Sequence, residues 1–239
     1  MNKTVLKVEG LSKSFKKRRI VDNVSFEAKA GEILGFLGAN GAGKTTTIRM
    51  ITGLISADSG TVIIDGHNIK SNFEKAMDNV GAIVEIPFLY EYMTGMENIK
   101  LFAKLYKASE EGVNEAIKVS GLKDRLNDKV KEYSLGMKQR IGLAVALMKQ
   151  PKLLILDEPT NGLDPMGIKD LREFLKDLSH NKNISVVVSS HILMEMEQLC
   201  DRVVIISDGK VICTKTMDEI NKESSLEEVF INSIKEAEK

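Results

Sequence analysis

The chain has 239 residues, 43% hydrophobic and 28% charged, with 34 Lys and Arg balanced by 34 Asp and Glu. Such a chain has length and apolar content for one large globular domain or two small ones. Zero net charge excludes a bulk electrostatic pull toward nucleic acid or acidic lipid, two cysteines exclude a disulfide framework, and no apolar run reaches the roughly 18 residues of a membrane span.

The start, Met1 to Glu9, lacks the apolar core of a signal peptide, so a cytoplasmic chain is expected, with Cys200 and Cys213 as reduced structural thiols. Val5 to Glu9, Ser12 to Phe15 and Ile20 to Ala28 read as short antiparallel strands. The run Lys16-Lys17-Arg18-Arg19 between them reads as a solvated turn. Ile33 to Leu37 reads as a buried strand. It leads into Gly38-Ala39-Asn40-Gly41-Ala42-Gly43-Lys44-Thr45, which fits the phosphate-loop pattern G-x-x-x-x-G-K-[ST]. Its glycines let backbone N–H groups close on phosphate oxygens. Lys44 supplies a point charge for the terminal phosphates, and the Thr45 hydroxyl is a Mg²⁺ ligand. A helix from Thr46 to Thr52 would point its positive N-terminus at the loop.

Thr61 to Ile64 and Val80 to Val84 read as further short strands, the second ending at Glu85. From Ile86 the period becomes helical. Thr94 and Glu97 form a capping box, and Met96, Ile99, Phe102, Leu105 and Tyr106 mark one helix face. Ser109 caps a second helix that Gly121 ends. Residues 86–149 therefore read as a helical subdomain inserted in an α/β core of residues 1–85 and 150–239, all in a single domain.

Within that insertion, Tyr133-Ser134-Leu135-Gly136-Met137-Lys138-Gln139-Arg140 opens an apolar helix to Met148. From physics alone, Ser134 is an ordinary N-cap. Lys152 to Leu156 is apolar throughout, as a parallel strand covered on both faces should be, and it runs into Asp157-Glu158. Ligands bind at the carboxyl ends of such strands. There Asp157 is placed to hold Mg²⁺, directly or through water, and Glu158 to accept a proton from the attacking water. A helix from Pro165 to Ser179, a strand from Ile184 to Ser189, a hairpin around Asp208-Gly209 and a last helix capped by Ser225 complete the reading.

Gly38 to Thr45, Ser134 to Arg140, Leu153 to Glu158, Asn161-Gly162-Leu163-Asp164 and Ser189-Ser190-His191 together resemble the ordered motifs of ATP-binding-cassette (ABC) ATPases. The resemblance covers essentially the whole chain. It implies a phosphate-loop NTPase core with a mainly parallel sheet, an N-terminal antiparallel β portion and a helical subdomain. ATP and Mg²⁺ are the implied cofactors, with Asn40, Gly41, Ala42, Gly43 and Thr46 joining Gly38, Lys44 and Thr45 around the phosphates. The implied assembly is a head-to-tail dimer in which Ser134 and Gly136 meet the γ-phosphate bound by the second subunit. On the same resemblance Phe15 matches an aromatic that stacks on adenine, Asp164 a loop coupling the two sites, and His191 a γ-phosphate contact. A strand-end or core Phe, a helix N-cap and a structural His are the plain alternatives.

The signature departs from the usual L-S-G-G-Q at Tyr133, Leu135 and Met137, and Met137 cannot hydrogen-bond as Gln would. At Glu85 the family usually has Gln. Glu there is similar to the ATPase subunits of transporters that protect bacteria from bacitracin and lantibiotic-type peptides, which makes Glu85 a coupling and metal-facing residue. The implied function is the ATPase subunit of such an exporter. It would sit on the inner face of the cell membrane through a separate permease docked near Ile86 to Met93, with no nucleic-acid partner. A soluble ABC ATPase of translation or DNA maintenance is the alternative. The single cassette and the zero net charge stand against it.

Overall fold

The structure is a computed structural model that describes residues 3–237, apart from the side chain of Glu223. Met1, Asn2, Glu238 and Lys239, the ends of the expected single domain, lie outside the described residues.

Apart from the phosphate-loop strand, the strands of the N-terminal third form an antiparallel sheet. Strands β1 (Thr4–Phe15) and β2 (Arg18–Lys29) form a long hairpin around Lys16-Lys17. The expected break near Gly10 is a bulge within one strand: the register shifts between Val8 and Leu11, and Gly10 takes φ 61. Helix α1 (Lys44–Ile51) follows the phosphate-loop strand β3 (Ile33–Leu37). Strand β4 (Ser59–Ile64) returns to pair with β1, and β5 (His67–Asn68) completes a sheet of order β2-β1-β4-β5.

The second sheet carries the site. After the short helix α2 (Phe73–Met77) come β6 (Val80–Ile83), β7 (Leu153–Asp157), β8 (Ser185–Ser190), β9 (Arg202–Ser207) and β10 (Lys210–Thr216). With β3 they form a sheet of order β10-β9-β3-β8-β7-β6, parallel throughout except for the β9–β10 hairpin. Both faces are covered, so the strands alternate between two cores. Leu34, Phe36, Leu153, Ile155 and Val187 pack with the antiparallel sheet and α1. Ile33, Leu37, Leu154, Leu156 and Val188 pack with the helices on the other side. Each such buried side chain contributes about 1.5–3 kcal/mol by leaving water.

Those helices are α6 (Pro165–Lys176), which widens into a π turn at Asp177–Asn181, with α7 (Leu193–Leu199), α8 (Met217–Glu223) and α9 (Leu226–Ala237). Between β6 and β7 lie α3 (Gly95–Tyr106), α4 (Glu110–Ser120) and α5 (Leu135–Leu147). The Thr94/Glu97 capping box is formed, and Ser109 and Gly121 bound α4 as expected. From Ile141 to Leu147 helix α5 is apolar all round because it serves two cores: Leu143 and Leu147 face the sheet, while Ile141, Ala144 and Val145 face α3 and α4. One expectation is corrected. Of the residues read as one apolar face of α3, Leu105 and Tyr106 are 62% and 41% exposed.

Candidate functional site

Four neighbouring parallel strands, β3, β8, β7 and β6, end on the same edge of the sheet. In chain order the residues after them are far apart. In sheet order they are consecutive: the phosphate loop after β3, His191 after β8, Asp157-Glu158 at β7 and Glu85 after β6. The topology, not any local pattern, gathers the site.

The phosphate loop turns out of β3 into α1 without a side-chain cap. Gly43 has φ 105, and a Cβ there would stand 2.8 Å from the Ile20 carbonyl oxygen, so a side chain is excluded on both counts. Lys44 is only 5% exposed. Its Nζ donates to the Gly38 carbonyl at 2.8 Å and the Ala39 carbonyl at 3.2 Å, and it pairs with Glu158 Oε1 at 3.2 Å. Glu158 Oε2 lies 2.8 Å from His191 Nδ1. One carboxylate is thus held by two cationic or donor groups over the loop.

The backbone helps to aim it. Glu158 has φ 48 and Glu85 has φ 65, left-handed values that cost a non-glycine residue of order 1 kcal/mol. The Glu158 N–H donates to Ser189 Oγ at 3.0 Å, and that hydroxyl donates to Asp157 Oδ1 at 2.5 Å. Ser189 therefore fixes both acidic residues from the adjoining strand.

Two adjoining cavities open here. The first, about 410 Å³, is lined by Arg18, Ile20, Asn40, Gly41, Gly43, Lys44, Thr45, Thr46, Glu158, Asn161 and His191. The second, about 420 Å³, is lined by Thr45, Glu85, Ile86, Leu135, Gln139, Asp157, Glu158, Asn161 and Gly162. Thr45, Asp157, Glu158 and Glu85 offer it hard oxygen donors, the ligand type Mg²⁺ takes. No group of three or more His, Cys, Asp or Glu side chains set to hold a metal occurs among the described residues.

Other sequence-derived residues lie outside these walls. Phe15 is exposed at the end of β1, with Lys13 Nζ 5.6 Å from its ring centroid. Ala42 is buried in the core beneath the loop. Ser134 is exposed and caps α5, its hydroxyl accepting the Met137 N–H at 3.3 Å. Gly136 borders a smaller cavity between α5 and α6. Asp164 caps α6 by accepting the Gly167 N–H at 2.7 Å, with Pro165 in the first turn. Glu85 lines the second cavity, but its carboxylate is paired with Arg49 at 2.5 Å. The signature helix and the turn after β7 touch directly: Gly162 has φ 75, and a Cβ on it would meet Leu135 Cδ2 at 2.4 Å. On sequence grounds Ser189, Asn161 and Gln139 fall within the family-like motifs without an individual role, and Arg18 reads as part of a solvated turn. Ser189 reaches the site from β8, Arg18 from the β1–β2 hairpin, Asn161 from the turn after β7 and Gln139 from α5.

A glycine-rich strand-to-helix loop with a buried lysine, set beside a strand ending in two carboxylates, defines a phosphate-loop nucleotide-hydrolysing protein. The profile of the ABC transporter family matches residues 21–161. The chain belongs to this family and is an ATP-binding cassette with ATPase activity. It is 44% identical over 220 residues to the bacitracin transport ATP-binding protein BcrA of Bacillus licheniformis, spanning 92% of this chain and 72% of that one. It is 40% identical over 230 residues to the lantibiotic transport ATP-binding protein SrtF of Streptococcus pyogenes, spanning 96% and 97%. Among solved structures, the dimeric post-hydrolysis ATP-binding cassette MJ0796 bound to ADP and Pi superposes with a TM-score of 0.79 at 25% identity, over 89% of this chain and 98% of that one.

Proposed function

We propose that the chain is the ATP-hydrolysing subunit of an exporter of antimicrobial peptides of the bacitracin or lantibiotic kind, driving a separate membrane permease. The observation that carries the chemistry is Glu158, held between Lys44 and His191 over the phosphate loop. In this reading the loop N–H groups and Lys44 bind the β- and γ-phosphates of ATP, and Phe15 lies against the adenine. Glu158 takes the proton of the attacking water, and His191 orients the γ-phosphate. Thr45 and Asp157 would hold Mg²⁺, which would supply charge neutralisation at the phosphate oxygens. Glu85 reports the state of that cavity.

Ser134 and Gly136 act on the ATP of a second subunit in a head-to-tail dimer, and Asp164 couples the two sites. The exposed signature and the likeness to a dimeric cassette support this arrangement. Residues 86–149 act as one helical subdomain within a single domain, which their own apolar core supports.

The permease docks in the apolar groove of about 790 Å³ that runs from β6 to α3 and α5. Ile86 and Phe88 on its rim are 69% and 85% exposed, and exposed apolar side chains gathered along one groove are the kind of patch that partners cover. Among the described residues no helix is long and apolar enough to cross a membrane; in this reading the span is the permease's, and the chain sits against it on the inner face of the cell membrane. Native purification from membranes tests the reading. An integral membrane subunit should co-purify, and cells carrying both subunits should resist bacitracin or a lantibiotic. Recovery without such a subunit, and unchanged sensitivity, would remove the exporter assignment.

A further inference from the structure

We infer that Arg18 is a second cation of the nucleotide site, contacting phosphate oxygens of bound ATP from the β1–β2 hairpin. The inference rests on reading the phosphate-loop cavity as the ATP site. Read from sequence, Arg18 belonged to a solvated basic turn. In the structure only part of that run is a turn: Lys16 and Lys17 form it, while Arg18 begins β2 and lines the cavity with Lys44 and His191.

The charges around the cavity are unevenly used. Lys44 and His191 both engage Glu158. Of the neighbouring cations, Arg19 pairs with Asp22 at 2.8 Å and Lys13 with Asp58 at 3.0 Å, while Lys16 and Lys17 stand in the turn outside the cavity lining. The Arg18 guanidinium has no ion-pair or hydrogen-bond partner among the described residues. An exposed guanidinium facing a cavity built for a polyanion offers five donors in a fork that matches phosphate. The hairpin register sets its neighbour. Arg18 pairs directly with Phe15, and residues opposite each other across antiparallel strands project on the same face. With adenine against Phe15, Arg18 stands where the chain of phosphates leaves the nucleoside.

The test is titration of MgATP into wild type, Arg18→Ala, Arg18→Lys and Lys17→Ala, with circular dichroism to check folding. Steady-state KM and kcat are measured beside it. Arg18→Ala should weaken ATP binding about tenfold, the low end for a hydrogen bond to a charged group. KM should rise by more than kcat falls. Arg18→Lys should recover part of the loss, and roughly 0.5 M salt should shrink the difference. Lys17→Ala, in the turn, should stay within about twofold of wild type in the same titration.

Unchanged ATP affinity in Arg18→Ala overturns the assignment, and so does an equal loss in Lys17→Ala, which would make the effect one of general charge. An equal loss for adenosine, measured by competition, would place the guanidinium on the base or sugar instead. Lys44→Ala separates this inference from the reading beneath it. If that variant also binds ATP as wild type does, the site itself is misassigned. If only Arg18→Ala is silent, Arg18 alone is.

Discussion

The two halves of the proposed ATP site are built in opposite ways. Around the phosphate loop the central side chains are held by their own chain: Lys44 by two carbonyls and Glu158, Glu158 by His191, Asp157 by Ser189. At the start of α5, Ser134 is exposed and its hydroxyl does no more than cap its own helix. The first region is complete in one chain and suited to binding nucleotide alone. The second is a surface that gains a function only when something is brought to it. Nucleotide binding should therefore be a property of the single chain, and hydrolysis a property of two.

The largest effect should come from the base. Glu158→Gln keeps the shape and hydrogen-bonding reach of the side chain but cannot take a proton. Turnover should fall about 10²–10⁴-fold while ATP still binds. Single-turnover ATPase assays measure this, and near-normal turnover would take Glu158 out of the role. Next in size, Lys44→Ala removes the buried charge and should weaken ATP binding about 10²-fold by titration, with the fold kept. Unchanged affinity would mean that the first region is not the complete half.

Glu85 tests the boundary between the regions. Its carboxylate pairs with Arg49 on α1 and its cavity includes Leu135 of the signature helix. Glu85→Ala should leave ATP affinity near normal yet impair peptide resistance more than basal hydrolysis. Glu85→Gln, which keeps an oxygen ligand, should do less harm. Intact resistance in Glu85→Ala would leave Glu85 a solvated strand-end residue.

The smallest effect concerns stability. Asp65 has its carboxyl held below the usual range by hydrogen bonds from Lys152 and Lys3. A folded-state value below the unfolded one stabilises the fold above the unfolded pKa, about 3.9, and the contribution is lost as pH falls through the folded value. Both lysines are largely exposed, so the sum is on the order of 1 kcal/mol or less. Asp65→Asn tolerates the left-handed turn at φ 46. It should melt about 2 °C lower at neutral pH, with the gap closing below about pH 4. A gap that persists in acid would mean the ion pairs are not its cause.

Much of the core and of the first half-site was legible because it rests on local chemistry. The phosphate loop is a contiguous pattern. The Thr94/Glu97 box and the Ser109 and Gly121 caps announce their helices within a few residues. Leu153 to Leu156 could be read as a strand covered on both faces because no polar residue interrupts it. What stayed hidden depends on distant contacts. Helices α2, α7 and α8 are five to seven residues long, too short for a period to show. Leu105 continues an apolar stripe that its own chain does not cover. The left-handed backbone at Glu85 and Glu158 leaves no mark in residue type, and Ser189 matters only because β8 lies beside β7. Arg18 looked like any residue of a basic turn until the hairpin register set it opposite Phe15.

The claim that one half-site is complete and the other needs a partner is tested most directly by the mass of Glu158→Gln in solution with and without MgATP. Light scattering should show a monomer that doubles when ATP is added. Adding Gly136→Asp should abolish the doubling without loss of ATP binding. A Cβ at Gly136 comes no closer than 3.4 Å to Leu163, so the fold has room for it, while a carboxylate there would repel the γ-phosphate of the second chain. A protein that binds ATP yet stays monomeric, or a dimer indifferent to Gly136→Asp, would contradict the account.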